Sequence, residues 1–456
     1  MKNFIKFLKT DIKIINSYFL FAIILIILIS VGYSSYALFS FTKTSSNVIE
    51  ATVGKIEKKP NAPVLASNMI PVYYDETAET WKKADLVNPN NTYKWYDYNN
   101  GMWANAVTVT SSSRSKYLNA SIGTVISMND ITTMWVWIPR FNAVTPSNYN
   151  GGTKTSPGAI DVTFVKQNEP AIDAFTFGDK ELSGFWYGKF EIGGTLASSC
   201  TNETCNVSNI VVKPNASSLR NQKVSSFFYA SRSMEQTRNS FGFVSSEVDT
   251  HMSKNNEWGA VAYLTQSIYG RCTDSTTCSE VGINNSHDSN NNLTTGYGAP
   301  AGSDENVTNG AYNTTLGKNA STTGTIYGIY DMSGGASEYV MGVFADTNGK
   351  PRSGHNSSDN SGFTGMLKDG TTYTGITFPD SKYYNLYTGS SYTGHALTET
   401  KNWYSDSASF VNTFYPWFIR GGYSLNSKYA GVFNFNYYSG ASNSYYYSSR
   451  LVITNE

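Results

Sequence analysis

An uncharged stretch near the N-terminus constrains this chain more than any other feature. No charged residue occurs between Ile14 and Thr42, and Tyr18–Val31 is almost purely apolar. Four lysines precede the stretch: Lys2, Lys6, Lys9 and Lys13. Because basic residues beside an apolar segment stay in the cytoplasm, the rest of the chain is predicted to lie outside the cell.

The apolar segment has two interpretations. Its strongly apolar core is shorter than the roughly 20 residues that span a bilayer, and Gly32–Phe41 would complete the span. Alternatively, Ser35-Tyr36-Ala37 is a small-x-small triplet suited to signal peptidase. We favour a retained anchor. The predicted organisation is a basic cytoplasmic tail at 1–16, a transmembrane anchor or signal segment at 17–41, and a linker at 42–63.

The composition of the chain excludes two classes of protein. Lys and Arg number 34, as do Asp and Glu, so no cationic surplus is left for nucleic acid. Aromatic residues make up 14% of the chain, which is not the composition of a disordered protein. Abundant Asn, Ser, Thr, Gly and Tyr are typical of strands joined by long polar loops.

The chain has four cysteines in two close pairs, Cys200 with Cys205 and Cys272 with Cys278. In an exported chain this arrangement predicts two local disulfides. A four-thiolate zinc site is the weaker alternative, because its cysteines usually stand closer together in each pair.

Residues 64–134 are predicted to form a small β-rich region. Short runs rich in Trp and Tyr alternate with the period of half-buried strands, and we expect the rings to fill a core. A sugar-binding aromatic platform is the alternative use of these rings. The runs are Met69–Tyr74, Thr92–Tyr98, Ala106–Val109 and Met134–Pro139.

The pattern changes in the C-terminal part of the chain, residues 135–456. Phe185–Ile192 has the sequence of a buried strand, and Ser225–Ser240 and Asn256–Tyr269 have helical periodicity. The polar, low-complexity segment from Asn284 to Thr325 is predicted to be a mobile surface loop.

The string Ile329–Val340 (IYDMSGGASEYV) resembles the YDM-x-G-N-V-W-E-W motif of the formylglycine-generating enzymes, also called sulfatase-modifying factors. Three further segments agree in order: Tyr187–Ile192, Trp258–Tyr263, and Arg420-Gly421-Gly422 followed by Arg450-Leu451-Val452. The resemblance covers roughly residues 135–456. It implies a loop-rich α+β domain with a variant of the C-type lectin fold, here preceded by the β-rich region and an N-terminal membrane helix.

Catalytic members of that family oxidise a cysteine with copper held by two thiolates shortly after the RGG strand. Tyr423–Asn455 contains no cysteine, so the soft ligands that copper(I) needs are missing and we predict a non-catalytic protein. The resemblance allows a structural calcium ion without assigned ligands, and no other cofactor is predicted. Glu338 is expected to be buried against a nearby arginine such as Arg420. The predicted structural residues are Glu338, Arg420, Gly421, Gly422 and Arg450.

The C-terminal tail has a different composition. Most positions between Ser424 and Ser449 are Ser, Tyr or Asn, a composition typical of antibody paratopes. The tail also resembles the variable region of C-type-lectin-fold proteins that are diversified by retroelements. Because alternate strand residues face opposite sides, about half of the predicted ligand-binding residues can share one face. These residues are Tyr423, Asn426, Tyr429, Asn434, Asn436, Tyr437, Tyr438, Tyr445, Tyr446 and Tyr447.

The sequence therefore predicts a bacterial binding protein of the adhesin or receptor type, held at the cell membrane with its bulk outside. If the N-terminal segment is cleaved, the protein is secreted. Its expected partner is an extracellular protein or glycan, and not nucleic acid. A copper-dependent formylglycine-generating oxidase is one alternative. The other is a structural surface or matrix protein, because the apolar segment followed by Ala37–Phe41 resembles exported fibre proteins.

Overall fold

The structure is a computed structural model that describes residues 62–88, 92–287, 292–304, 310–442 and 445–455, with the backbone alone at 49–52 and 55–58. The predicted tail at 1–16, the membrane segment at 17–41 and much of the linker at 42–63 lie outside the described residues. Within the described ranges, none of the helices combines the length and the apolarity required to cross a membrane.

The described residues form a mixed α+β structure with long connecting loops. In chain order the α-helices are α1 (Ser111–Leu118), α2 (Val224–Arg232), α3 (Asn255–Thr265) and α4 (Thr315–Asn319). The strands are β1 (Ile49–Thr52), β2 (Lys55–Lys58), β3 (Ile70–Asp75), β4 (Thr80–Lys83), β5 (Asn105–Val109), β6 (Ile131–Pro139), β7 (Phe141–Ala143), β8 (Val162–Phe164), β9 (Thr176–Phe177), β10 (Lys180–Glu181), β11 (Gly184–Gly188), β12 (Gly193–Gly194), β13 (Ile210–Val211), β14 (Val248–Met252), β15 (Tyr297–Gly298), β16 (Gly310–Ala311), β17 (Ser337–Phe344), β18 (Gly365–Met366), β19 (Thr372–Tyr373), β20 (Asn385–Tyr387), β21 (Trp417–Gly421), β22 (Gly431–Tyr438), β23 (Tyr447–Ser449) and β24 (Leu451–Asn455).

The larger sheet is antiparallel and joins distant parts of the chain. Its seven strands lie in the order β14-β24-β11-β6-β5-β3-β4. The predicted boundary at residue 134 falls within β6, so the β-rich region and the C-terminal part share this sheet. The C-terminal strand β24 lies between β14 and β11, which draws the residue before it, Arg450, into the core.

Most rings of the aromatic runs are buried, as the alternating pattern predicted. Tyr74, Trp95 and Trp135 are at most 3% exposed, whereas Tyr93 is 39% exposed. The prediction of a strand at Thr92–Tyr98 is wrong. Hydrogen bonds from its aromatic side chains, rather than pairing with a neighbouring strand, hold this segment in place. The Trp95 indole N–H donates to the Asn105 carbonyl at 2.7 Å, and the Tyr98 hydroxyl donates to the Trp137 carbonyl at 2.8 Å.

The smaller sheet carries the C-terminal tail. β17 pairs antiparallel with β21 and parallel with both β20 and β23, and β22 pairs antiparallel with β21. Helix α3 fixes β22, since the Trp258 indole N–H donates to the Val432 carbonyl at 2.9 Å. The predicted helix at Asn256–Tyr269 corresponds to α3, and the one at Ser225–Ser240 to α2 followed by two short 3-10 turns.

The described part of the low-complexity segment is packed into the fold. Asn284, Asn285 and Thr295 have no exposed surface, and the Asn284 amide donates to the Asp331 carboxylate at 2.9 Å. The prediction of a mobile surface loop is therefore wrong for these residues. Polar side chains can be buried here because each of the three donates or accepts at least one hydrogen bond, including those from the Asn285 amide to the Asp304 carbonyl and from the Thr295 hydroxyl to the Lys213 carbonyl, both at 2.7 Å.

Candidate functional site

Residues of β17, β21, β22, β23 and the adjoining loops line a surface cleft of about 270 Å³. Seven of the predicted ligand-binding residues line it: Tyr423, Asn426, Tyr429, Asn434, Asn436, Tyr446 and Tyr447. The cleft is also lined by Ser337, Ser407, Ile419 and Gly422. None of these lining residues carries a charge, so the cleft offers aromatic rings, amides and hydroxyls to a ligand.

The loop between β21 and β22 forms one wall of the cleft through local hydrogen bonds. The Tyr423 backbone N–H donates to the Asn426 side-chain oxygen at 2.9 Å, and the Tyr429 N–H donates to the Asn426 carbonyl at 3.0 Å. The Asn434 amide donates to the Tyr429 carbonyl at 2.6 Å. These bonds hold Tyr429, which is 52% exposed, at the rim above the buried Asn434.

The alternation of β22 divides its side chains between the cleft and the core. Asn434 and Asn436 line the cleft, whereas Phe433 and Phe435 are buried. Opposite β22, Ile419 pairs with Asn436 in the register of β21. The strand alternates as expected, but seven of the ten predicted residues line the cleft rather than about half, because loops beside β22 supply several of them.

Three predicted ligand-binding residues lie outside the lining of the cleft. The Tyr437 ring stacks on Tyr415 at a centroid distance of 5.6 Å. The Tyr438 ring packs against Tyr447 at 4.6 Å, and Tyr445 is 64% exposed beside the cleft.

Two serines of the cleft were not predicted as ligand-binding residues. Ser337 belongs to the Ile329–Val340 string and reaches the cleft because β17 pairs with β23, where it lies opposite Tyr447. Ser407 reaches the cleft from a loop whose backbone bonds to Tyr429 and Phe435, and its local sequence gives no signal of this role.

The two glycines of the RGG segment are conformationally required. Gly421 and Gly422 have φ angles of 81° and 69°, which side chains with a Cβ rarely adopt. A Cβ on Gly422 would lie 2.9 Å from the Cα of Ala430. Their predicted structural role is to turn the chain from β21 into the cleft loop.

Gly422→Ala is expected to lower the free energy of unfolding by about 1–3 kcal/mol, through backbone strain and the clash with Ala430. Gly370→Ala is the matched control, because Gly370 has a similar φ of 85° but nothing within 4 Å of its added Cβ. Urea denaturation compares the two variants. An equal loss of stability in both would show that the close approach to Ala430 has no cost.

No known protein family and no curated protein matches this chain.

A buried ion pair lies next to the cleft. Glu338 follows the cleft residue Ser337, and Arg450 donates to its carboxylate through Nε at 2.9 Å and through a second nitrogen. Arg450 also donates to the carbonyls of Gly188 and Tyr330, each at 2.9 Å. Burial raises the pKa of Glu338 to about 7, although Arg450 opposes that shift.

The predicted burial of Glu338 against an arginine is confirmed, but the partner in the ion pair is Arg450. Arg420 lies opposite Glu338 only in the backbone register of β17 and β21. The donors of Arg420 are taken by the Asn255 side chain at 2.7 Å and by three backbone carbonyls, those of Asn434, Ala396 and His395. Burial without a carboxylate partner lowers the pKa of Arg420 to about 10. Both arginines have structural roles, but Arg420 fixes loops and β22 while Arg450 neutralises Glu338.

Two further buried carboxyl groups lie near this ion pair. The Glu191 carboxylate accepts from the Ala336 N–H at 3.1 Å, and Asp331 accepts from Gly296 N–H at 2.9 Å. Burial, reinforced by the charges of Asp331 and Glu338, raises the pKa of Glu191 well above its usual value. The raised pKa favours the protonated acid, and the hydrogen bond from Ala336 places Glu191 against the segment that carries Ser337.

Both predicted disulfides are present. The Cα atoms of Cys200 and Cys205 are 5.5 Å apart, and those of Cys272 and Cys278 are 4.0 Å apart. These bonds use all four cysteines of the chain.

Proposed function

We propose that the protein is a non-catalytic binding protein of the bacterial cell surface that holds an extracellular ligand in the cleft beside β22. The proposal includes a lectin-like fold related to the formylglycine-generating enzymes and attachment through the N-terminal segment. The single observation that carries it is the convergence of seven predicted ligand-binding residues on one uncharged concavity. Rigid aromatic rings beside adaptable amides are typical of binding surfaces rather than of proton-transfer sites.

The chemistry of the cysteines supports a binding role over the copper-dependent oxidase. The catalytic family members hold copper with two thiolates, and every cysteine of this chain is part of a disulfide. Neither disulfide includes a residue that lines the cleft.

The test compares two adjacent tyrosines. Tyr446 lines the cleft, whereas its neighbour Tyr445 does not and is 64% exposed. For any ligand selected from glycan arrays and displayed peptide libraries with the full-length chain, Tyr446→Ala is expected to weaken binding by about thirtyfold, the loss of an interface hot spot. Tyr445→Ala is expected to leave affinity within about twofold.

Asn436→Ala is a second variant of the cleft, in which a side-chain amide rather than an aromatic ring is removed. Biolayer interferometry measures the affinities, and thermal melts confirm that each variant is folded. A ligand whose affinity is unchanged by both Tyr446→Ala and Asn436→Ala would place binding elsewhere and contradict the proposal.

A further inference from the structure

A row of aromatic rings continues from the cleft along the neighbouring surface. Tyr447 lines the cleft, and its ring is 4.6 Å from that of Tyr438. Tyr438 lies nearly parallel to Tyr415, with centroids 6.1 Å apart and an interplanar angle of 11°. Tyr437 stacks on the same ring at 5.6 Å and 6°.

The row ends at a histidine and an exposed phenylalanine. The His355 imidazole stacks on Tyr415 at 5.2 Å and 12°, and its centroid is 6.4 Å from that of Phe414. Phe414 is 48% exposed. We call these six rings the aromatic track: Tyr447, Tyr438, Tyr437, Tyr415, His355 and Phe414.

Core packing accounts for the track only in part, because Tyr437, Tyr438 and Tyr447 pack against the core while Tyr415, His355 and Phe414 are not among the residues packed there. Stacked rings in the interior, such as Phe363 on Trp417, are completely buried. Each ring of the track instead keeps part of its surface exposed to solvent. Aligned rings that stay accessible next to a cleft form a platform for a ligand that extends beyond the cleft.

The dimensions of the cleft indicate a ligand made of repeated units. Its volume of about 270 Å³ is just below the roughly 300–1,000 Å³ typical of sites that enclose a whole drug-sized ligand. The cleft can therefore hold one small unit, while further units would leave it over Tyr447 and the rest of the track.

The chemistry of the lining indicates a neutral, polyhydroxylated unit. Amides and hydroxyls both donate and accept hydrogen bonds, as Asn426, Asn436 and Ser337 can, and none of the lining residues is charged. A cation lies at the rim, Lys428, whose ammonium is 5.4 Å from the centroid of the Tyr429 ring. The solvent-exposed parts of the rings offer apolar contact to sugar units. An extended peptide could bind by adding a strand to β22, but there Phe435 is already bonded to Ser407 and Ser409 at 3.1 and 2.9 Å.

We propose that the cleft and the aromatic track together bind a linear, uncharged oligosaccharide, with one sugar unit in the cleft and the following units stacked along the track. This inference rests on the proposed function of the cleft. It adds that the ligand is a neutral glycan and that affinity depends on its length.

The experiment presents the full-length chain with neutral linear glycans graded from monosaccharide to hexasaccharide, alongside sialylated and sulfated chains and displayed peptides. Affinity for a neutral glycan is expected to rise with length. Tyr415→Ala is expected to weaken binding of the longest chain by about threefold to tenfold, the contribution of one aromatic contact, and to leave the shortest bound chain unaffected.

Two further variants separate ring contact from misfolding. Tyr415→Phe keeps the ring and is expected to retain the length dependence, and His355→Ala removes a ring at the outer end of the track. Length-independent affinity, preference for charged chains or peptides, or failure to bind any neutral glycan would overturn this inference. If the chain binds a peptide and Tyr446→Ala abolishes that binding, the proposed binding function of the cleft stands and only the glycan inference fails. If the chain binds a glycan and neither Tyr446→Ala nor Asn436→Ala weakens that binding, the cleft is excluded as the binding site.

Discussion

Replacing Arg450 with methionine is expected to lower the free energy of unfolding by about 3–5 kcal/mol at about pH 8, the cost of leaving a buried charge without its partner. Arg450 and Glu338 both have no exposed surface. The substitution would leave the Glu338 carboxylate desolvated and remove donors from the carbonyls of Gly188 and Tyr330. Methionine fills similar volume, so the loss would be electrostatic rather than a cavity effect.

Three comparisons isolate the ion pair. Urea denaturation of Arg238→Met, at an exposed arginine, is expected to differ from wild type by less than about 0.5 kcal/mol. The double variant Glu338→Leu with Arg450→Met is expected to recover much of the loss, since replacing both charges removes the unpaired group. The defect of Arg450→Met should also shrink below about pH 7, where Glu338 holds a proton with or without Arg450. A loss below about 1 kcal/mol at pH 8 would contradict a neutralising role for Arg450.

Local sequence patterns predicted the elements whose burial follows a simple period. β3, β6 and α3 were found because their apolar residues recur with strand or helix spacing. The Thr92–Tyr98 segment has the same alternation, but the Trp95 and Tyr98 side chains donate hydrogen bonds to backbone carbonyls of other segments. A periodic pattern reports burial, and it does not specify which hydrogen bonds the backbone makes.

Contacts between distant segments could not be predicted from one sequence. The choice of Arg450 over Arg420 as the partner of Glu338 depends on the parallel pairing of β17 with β23, which places Ser448 opposite Glu338. Much of the cleft was predictable because its residues lie in one stretch with a distinctive composition. Ser407 joined the cleft only through folding.

Stability should depend on pH through Glu191. Its side chain is completely buried. Because burial raises the pKa of Glu191 in the folded state, folding takes up a proton above the unfolded pKa of about 4.3. The free energy of unfolding is therefore expected to fall by about 1.4 kcal/mol per pH unit for this group as pH rises from about 5 toward the folded pKa.

Glu191→Gln is expected to make the free energy of unfolding less dependent on pH, by the contribution of this one group. Glutamine resembles the protonated acid and cannot ionise. Asp331 and Glu338 also have raised pKa values, so a residual slope should remain. Urea denaturation from about pH 5 to pH 8 gives both slopes, and Glu79→Gln, at an exposed position, should keep the wild-type slope. Parallel curves for wild type and Glu191→Gln would show that Glu191 is ionised in the folded protein. The ionised carboxylate would then accept the hydrogen bond from the Ala336 N–H, directly before the cleft residue Ser337.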